Sequence, residues 1–155
     1  MKGPTVQIGS PAPAFELLDQ DKNLVSSESL KGSKSLVVFI PFPFTGICDD
    51  EACALRDSLG KLNDLDAKVV IITVHGWPAA KKWATEHGLE FPVLADFWPH
   101  GATAQAYGAF NEDVGVANRY TFVLDEEGTV RDVINTEALG INREVNAYLE
   151  ALAKI

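Results

Sequence analysis

Residues 35–48 read Ser35-Leu36-Val37-Val38-Phe39-Ile40-Pro41-Phe42-Pro43-Phe44-Thr45-Gly46-Ile47-Cys48. Ser35 to Pro41 is a continuous apolar run, the pattern of a strand buried on both faces. A loop from Phe42 to Ile47 follows. From Cys48 the period changes. Ala52, Leu55, Leu59 and Leu62 recur at three- and four-residue steps, which predicts one amphipathic helix. Asp49, Asp50 and Glu51 sit in its first turn, where acids suit the positive end of the helix dipole. Lys68 to Val74 is a second apolar, β-branched strand. Strand, helix and strand in that order predict two parallel strands joined by a right-handed crossover.

Working outward, Thr5–Ile8 and Phe15–Leu17 read as short extended pieces, with Asp19–Asn23 a polar turn. Pro78 to His87 reads as a helix with proline in its first turn. Phe91–Ala95 reads as a short strand and Ala102–Tyr107 as a short helix. Tyr120–Asp125 and Thr129–Asn135 are two strands around a hairpin turn. Asn142 is placed as the cap of a last helix with Val145, Leu149 and Leu152 on its apolar face. These elements give the fold class α/β: a thioredoxin-like sandwich with a central mixed β-sheet flanked by helices. No repeat or linker divides the chain, so residues 1–155 are expected to form a single domain.

Thirteen Lys and Arg against 22 Asp and Glu give a net charge of −9. That balance argues against nucleic acid and against anionic lipid as partners. The longest apolar run is far short of the ~20 residues a bilayer requires. The first residues show no apolar signal region, so the expected location is cytoplasmic. Two cysteines, Cys48 and Cys53, do not make an extracellular disulfide framework. In a reducing compartment a close pair is more often redox-active or metal-binding. His75, His87 and His100 have no ligand spacing with each other or with the cysteines, so no metal is expected. Asp19–Asn23 opens like a calcium loop but has Leu24 where glycine is required.

Cys48 stands after a buried strand and at a helix start, where free N–H groups and partial positive charge favour a thiolate. The three acids that follow oppose this, so a fixed cation is required nearby. The string Pro41-x-x-x-Thr45-x-x-Cys48 resembles the signature of the peroxiredoxin family. Asn118-Arg119-Tyr120-Thr121-Phe122 is similar to that family's arginine segment, and Gly9–Leu17 to its N-terminal hairpin. Phe44–Cys48 and Phe97-Trp98-Pro99-His100-Gly101 are most similar to its alkyl hydroperoxide reductase E type. The resemblance covers the chain from about Gly9 onward.

The resemblance implies a thiol-dependent peroxidase for hydrogen peroxide and organic hydroperoxides, with no cofactor. Cys48 would attack the peroxide and become a sulfenic acid. The Thr45 hydroxyl, the Cys48 backbone N–H and the Arg119 guanidinium would be donors to the O–O axis. Pro41 would close the pocket, and Glu51 would orient Arg119. Phe42, Phe44 and Trp98 would form an apolar substrate wall, against the plainer reading as core or interface residues.

Cys53 departs from the E type, which lacks a thiol there. It matches the spacing of the resolving cysteine in the Q (bacterioferritin-comigratory) type. Five helical residues separate Cα atoms by ~8–9 Å, beyond the ~4.4–6.8 Å of a disulfide. A Cys48–Cys53 disulfide, reduced by thioredoxin or a similar thiol, would therefore need the helix to unwind locally. Two alternatives stand beside it. In one, an external thiol resolves Cys48 and Cys53 is an apolar helix residue. In the other, the pair serves a non-enzymatic redox sensor or interaction protein. The E type implies a homodimer, whereas the Q type is often monomeric.

Overall fold

The computed structural model describes residues 6–136 and 138–155. Its centre is β3 (Lys34–Phe39), buried from Ser35 onward. β3 lies parallel to β4 (Ala67–Thr73) and antiparallel to β8 (Tyr120–Leu124). Outer strands complete a mixed seven-stranded sheet in the order β2-β1-β5-β4-β3-β8-β9. They are β1 (Glu16–Leu18), β2 (Leu24–Ser26), β5 (Val93–Ala95) and β9 (Val130–Asn135). β6 (Phe110–Asn111) and β7 (Val116–Ala117) form a separate ribbon.

The continuous apolar reading of β3 follows from its two covered faces. Leu36, Val38 and Ile40 point into one core. There they meet α1 (Gly46–Asp57), α2 (Leu59–Asp64), α3 (Trp77–His87) and α5 (Val145–Ala153) through Leu55, Leu62, Trp83 and Leu152. Val37 and Phe39 point into the other, against Phe122 and against Tyr107 of α4 (Ala102–Tyr107). Each fully buried Leu, Ile or Phe contributes roughly 1.5–3 kcal/mol, so the two cores together fix where β3 ends. The loop to Cys48 starts from that end.

The α/β sandwich expected from the sequence is the architecture observed. Several details differ. The helix from Cys48 does not run through to Leu62. It breaks at Ser58, whose N–H is shared between the carbonyls of Ala54 and Leu55, both at 3.1 Å, and a second short helix starts there. Asn142 does not cap the last helix. Glu144 is its N-cap residue, because Arg143 is drawn inward by Glu51 and holds the preceding segment extended. Val6–Ile8 form no strand, and Thr5 lies outside the described residues. β2 and the β6–β7 ribbon had no counterpart in the sequence reading; both are only two or three residues long.

Candidate active site

The polypeptide turns sharply between β3 and α1. Pro41 is buried, Phe44 takes a left-handed φ of 69°, and Thr45 occupies the N-cap position of α1. Gly46, Ile47 and Cys48 are then the first three helical residues, whose N–H groups have no intrahelical partner. The Cys48 side chain is 0% exposed. The Thr45 hydroxyl does not cap the helix, but donates to the Phe42 carbonyl at 2.7 Å. The hydroxyl oxygen keeps lone pairs that can accept a hydrogen bond from a bound molecule.

Sheet register supplies the cation. Val38 pairs with Thr121 in the antiparallel β3–β8 ladder. Arg119 immediately precedes β8, just past the end of that ladder. Arg119 is buried; its Nη1 donates to Glu51 Oε1 and its Nε to the Leu139 carbonyl. Glu51, three residues after Cys48, is itself only 4% exposed.

A second arginine, Arg143, was not singled out in the sequence. Its backbone N–H and Nε donate to Glu51 Oε2 at 2.7 and 2.8 Å, and its Nη2 to Glu51 Oε1 at 3.0 Å. Its Nη1 donates to Thr121 Oγ1 at 3.0 Å, and Thr121 donates onward to the Tyr148 hydroxyl at 2.9 Å. Ile141-Asn142-Arg143-Glu144 contains nothing that separates this arginine from a surface one. The available signal was Glu51, an acid on the buried face of the Cys48 helix.

The electrostatics follow from this packing. Burial pushes the Glu51 carboxyl up. The hydrogen bonds and charge of Arg143, then the charge of Arg119, outweigh it and hold Glu51 below the usual carboxylate range. Burial pulls Arg143 down, but Tyr148, Glu51 and Cys48 together raise it, so it keeps its proton. Two guanidiniums against one carboxylate leave a net positive charge. Cys48 lies within electrostatic reach of it.

The remaining predicted residues are dispersed. Phe42 is half-buried, and its ring meets His75 edge-on at 6.3 Å. Burial holds His75 below the ordinary imidazole range, with a smaller contribution from His100. Phe44 is 47% exposed. Trp98 is 83% exposed and lines a groove with Leu18, Leu24, Trp77 and Phe97, none of which belongs to the Cys48 cluster. Phe42 thus packs on His75, while Trp98 lies in the groove with Trp77 and Phe97. Cys53 is half-buried with a free thiol, as is that of Cys48. α1 is unbroken through both, which keeps the sulfurs apart. Among the described residues, no group of three or more His, Cys, Asp and Glu could hold a metal ion. No helix among them is long and apolar enough to cross a membrane.

Residues 8–133 match the model of the AhpC/TSA family. The chain is 44% identical over 151 residues to alkyl hydroperoxide reductase E of Mycobacterium tuberculosis, covering 97% of this chain and 98% of the relative. It is 32% identical over 159 residues to peroxiredoxin TSA1-B of Candida albicans, covering 96% and 79%. Among solved structures, it superposes on peroxidoxin BcpB from Mycobacterium tuberculosis with a TM-score of 0.87 at 27% identity, covering 97% and 98%.

Proposed function

The chain belongs to the AhpC/TSA family and is a thiol-dependent peroxidase, and we propose that Cys48 carries the reaction. The observation that supports Cys48 is its place in the first turn of α1, beside a buried carboxylate that holds two arginines. The thiolate attacks one oxygen of ROOH. The S–O bond forms, the O–O bond breaks, and the departing RO⁻ takes a proton to leave as water or an alcohol. Charge moves from sulfur to the leaving oxygen. Arginines already fixed by Glu51 can stabilise that charge without reorganising. Arg119 and the Cys48 N–H are the donors in this reading. Thr45 accepts a hydrogen bond from the peroxide, and Pro41 shields the sulfenic acid.

Resolution by Cys53 belongs to the same proposal. Unwinding the first turn of α1 lets the Cys48 sulfenic acid condense with Cys53 and release water. Thioredoxin or a similar dithiol then reduces the disulfide. The cytoplasm is the compartment that supplies such a reductant. The reading treats residues 1–155 as one domain and takes a homodimer as the assembly, to be measured by ultracentrifugation across a concentration series.

The test adds one equivalent of peroxide to reduced protein and reads the intact mass and a peptide map. Loss of two hydrogens, with Cys48 linked to Cys53, is the expected result. Oxygen gained on Cys48 alone would mean that an external thiol resolves it. Cys48→Ser should abolish turnover; retained turnover would sink the assignment to Cys48.

A further inference from the structure

Cys53 does not share the face of α1 that carries Cys48. Asp49, Cys53 and Arg56 stand at helical steps of four and three, so they form one stripe. That stripe meets α3. Cys53 Sγ lies 3.8 Å from His87 Nδ1, within hydrogen-bond reach for sulfur. On the far side of the ring, His87 Nε2 lies 3.5 Å from Asp49 Oδ2. Asp49 is itself held by the Trp83 indole N–H, which donates to Oδ1 at 2.6 Å. The His87 ring packs edge-on to Trp83 at 6.0 Å, and Arg56 Nη1 donates to the His87 carbonyl at 2.6 Å. Asp57 engages Arg56 Nε at 3.0 Å. A thiol and a carboxylate thus flank opposite nitrogens of one imidazole, at 3.8 and 3.5 Å. Nucleophile, base and orienting acid are arranged in this way in covalent catalysis.

We propose that His87 is the base that activates Cys53, with Asp49 as the residue that positions it. This deepens the resolving role proposed above and rests on that reading. In the tautomer with its proton on Nε2, on the Asp49 side, His87 presents the lone pair of Nδ1 to the thiol. The Cys53 proton moves to Nδ1. The thiolate then attacks the sulfenyl sulfur of Cys48. The S–S bond forms and the S–O bond breaks. The departing hydroxide takes the imidazolium proton and leaves as water, so no other reactant is needed. The geometry also survives the required unwinding. Cys53 is in the second turn of α1 and His87 is on α3, so the pair persists while the first turn opens. Asp49 leaves with the first turn, while His87 stays on α3 beside Cys53. The same side chain therefore serves as base before opening and as acid after it.

The experiment separates this relay from the peroxidase reading by removing peroxide chemistry. In Cys48→Ser protein, the rate of Cys53 alkylation by iodoacetamide is measured from pH 6 to 9. Adding His87→Asn should slow it by about tenfold or more near neutral pH, and the difference should vanish at high pH. Asp49→Asn keeps an acceptor for Trp83 but loses the charge on His87, and should give a smaller slowing of the same pH form. His87→Gln, checked for an unchanged thermal transition, guards against a folding artefact. In the otherwise native chain, stopped-flow fluorescence should show an unchanged peroxide phase and a disulfide phase slowed about tenfold by His87→Asn. Equal alkylation rates with and without His87 overturn the relay, whatever the enzyme's turnover. Slowed alkylation in a chain that never forms the Cys48–Cys53 disulfide overturns the resolving step and leaves Cys48 peroxidase chemistry standing.

Discussion

Glu51→Gln places the largest load on the site. Glu51 Oε1 accepts from Arg119 Nη1 and Arg143 Nη2, and Oε2 accepts from the Arg143 backbone N–H and Nε. Glutamine keeps one oxygen and its two donors. It turns an N–H₂ toward the other two, which are donors themselves. Two charge-assisted hydrogen bonds are lost, each worth roughly 1.5–3 kcal/mol. The two buried guanidiniums also lose their shared counter-charge. Breaking a buried pair from one side costs about 3–5 kcal/mol, and the two routes agree. Against a total stability of ~5–15 kcal/mol this is a large fraction. Equilibrium urea unfolding should show the midpoint falling by roughly 2 M, with a slope near 2 kcal/mol/M unchanged. Replacing Arg143 by Met in the same chain should recover part of the loss, because it removes the orphaned cation. A loss under about 1 kcal/mol, or no recovery in the double variant, would refute the reasoning. Either result would mean that the arginines find water when the carboxylate goes.

Two further outcomes follow from particular positions. Because the folded Glu51 pKa lies below its unfolded value near ~4.3, its stabilisation is full above that pH and is lost as pH falls through the folded value. The stability gap between native protein and Glu51→Gln should therefore be level near neutrality and shrink below about pH 4.3; a gap constant down to pH 3 contradicts the shift. Gly101 has φ +67°, and a Cβ there would lie 2.5 Å from Phe110 Cε1. Gly101→Ala should cost about 2–4 kcal/mol from left-handed strain and overpacking, or roughly 5–15 °C in Tm. Gly60→Ala, in α2 with nothing within 4 Å of the new Cβ, should be neutral or stabilising. Equal melting temperatures for the two variants would refute both the strain and the overpacking at Gly101.

The sequence by itself determined the parts governed by local period. The unbroken apolar run before Pro41 announced a strand covered on both faces, and the change of period at Cys48 announced a helix with the thiol in its first turn. Pro41, Thr45, Cys48 and the late Arg119 carried a resemblance to a known family, and it was that resemblance which implied the chemistry. Tertiary structure decided what the polar side chains do, because a donor or a charge acquires its role from its partner. Arg143 is 92 residues from Glu51 in sequence, yet it makes three of the four hydrogen bonds to that carboxylate. The Thr45 hydroxyl donates to the Phe42 carbonyl, a contact set by the turn of the loop. Trp98 lies in a groove beside β1 and β2, strands too short for the sequence to order within the sheet. His87 came to Cys53 only through the packing of α3 on α1. Repeating patterns fix backbone geometry over a few residues. Pairings between distant polar groups depend on strand order and helix packing, which the cooperative burial of two cores selects and no local window contains.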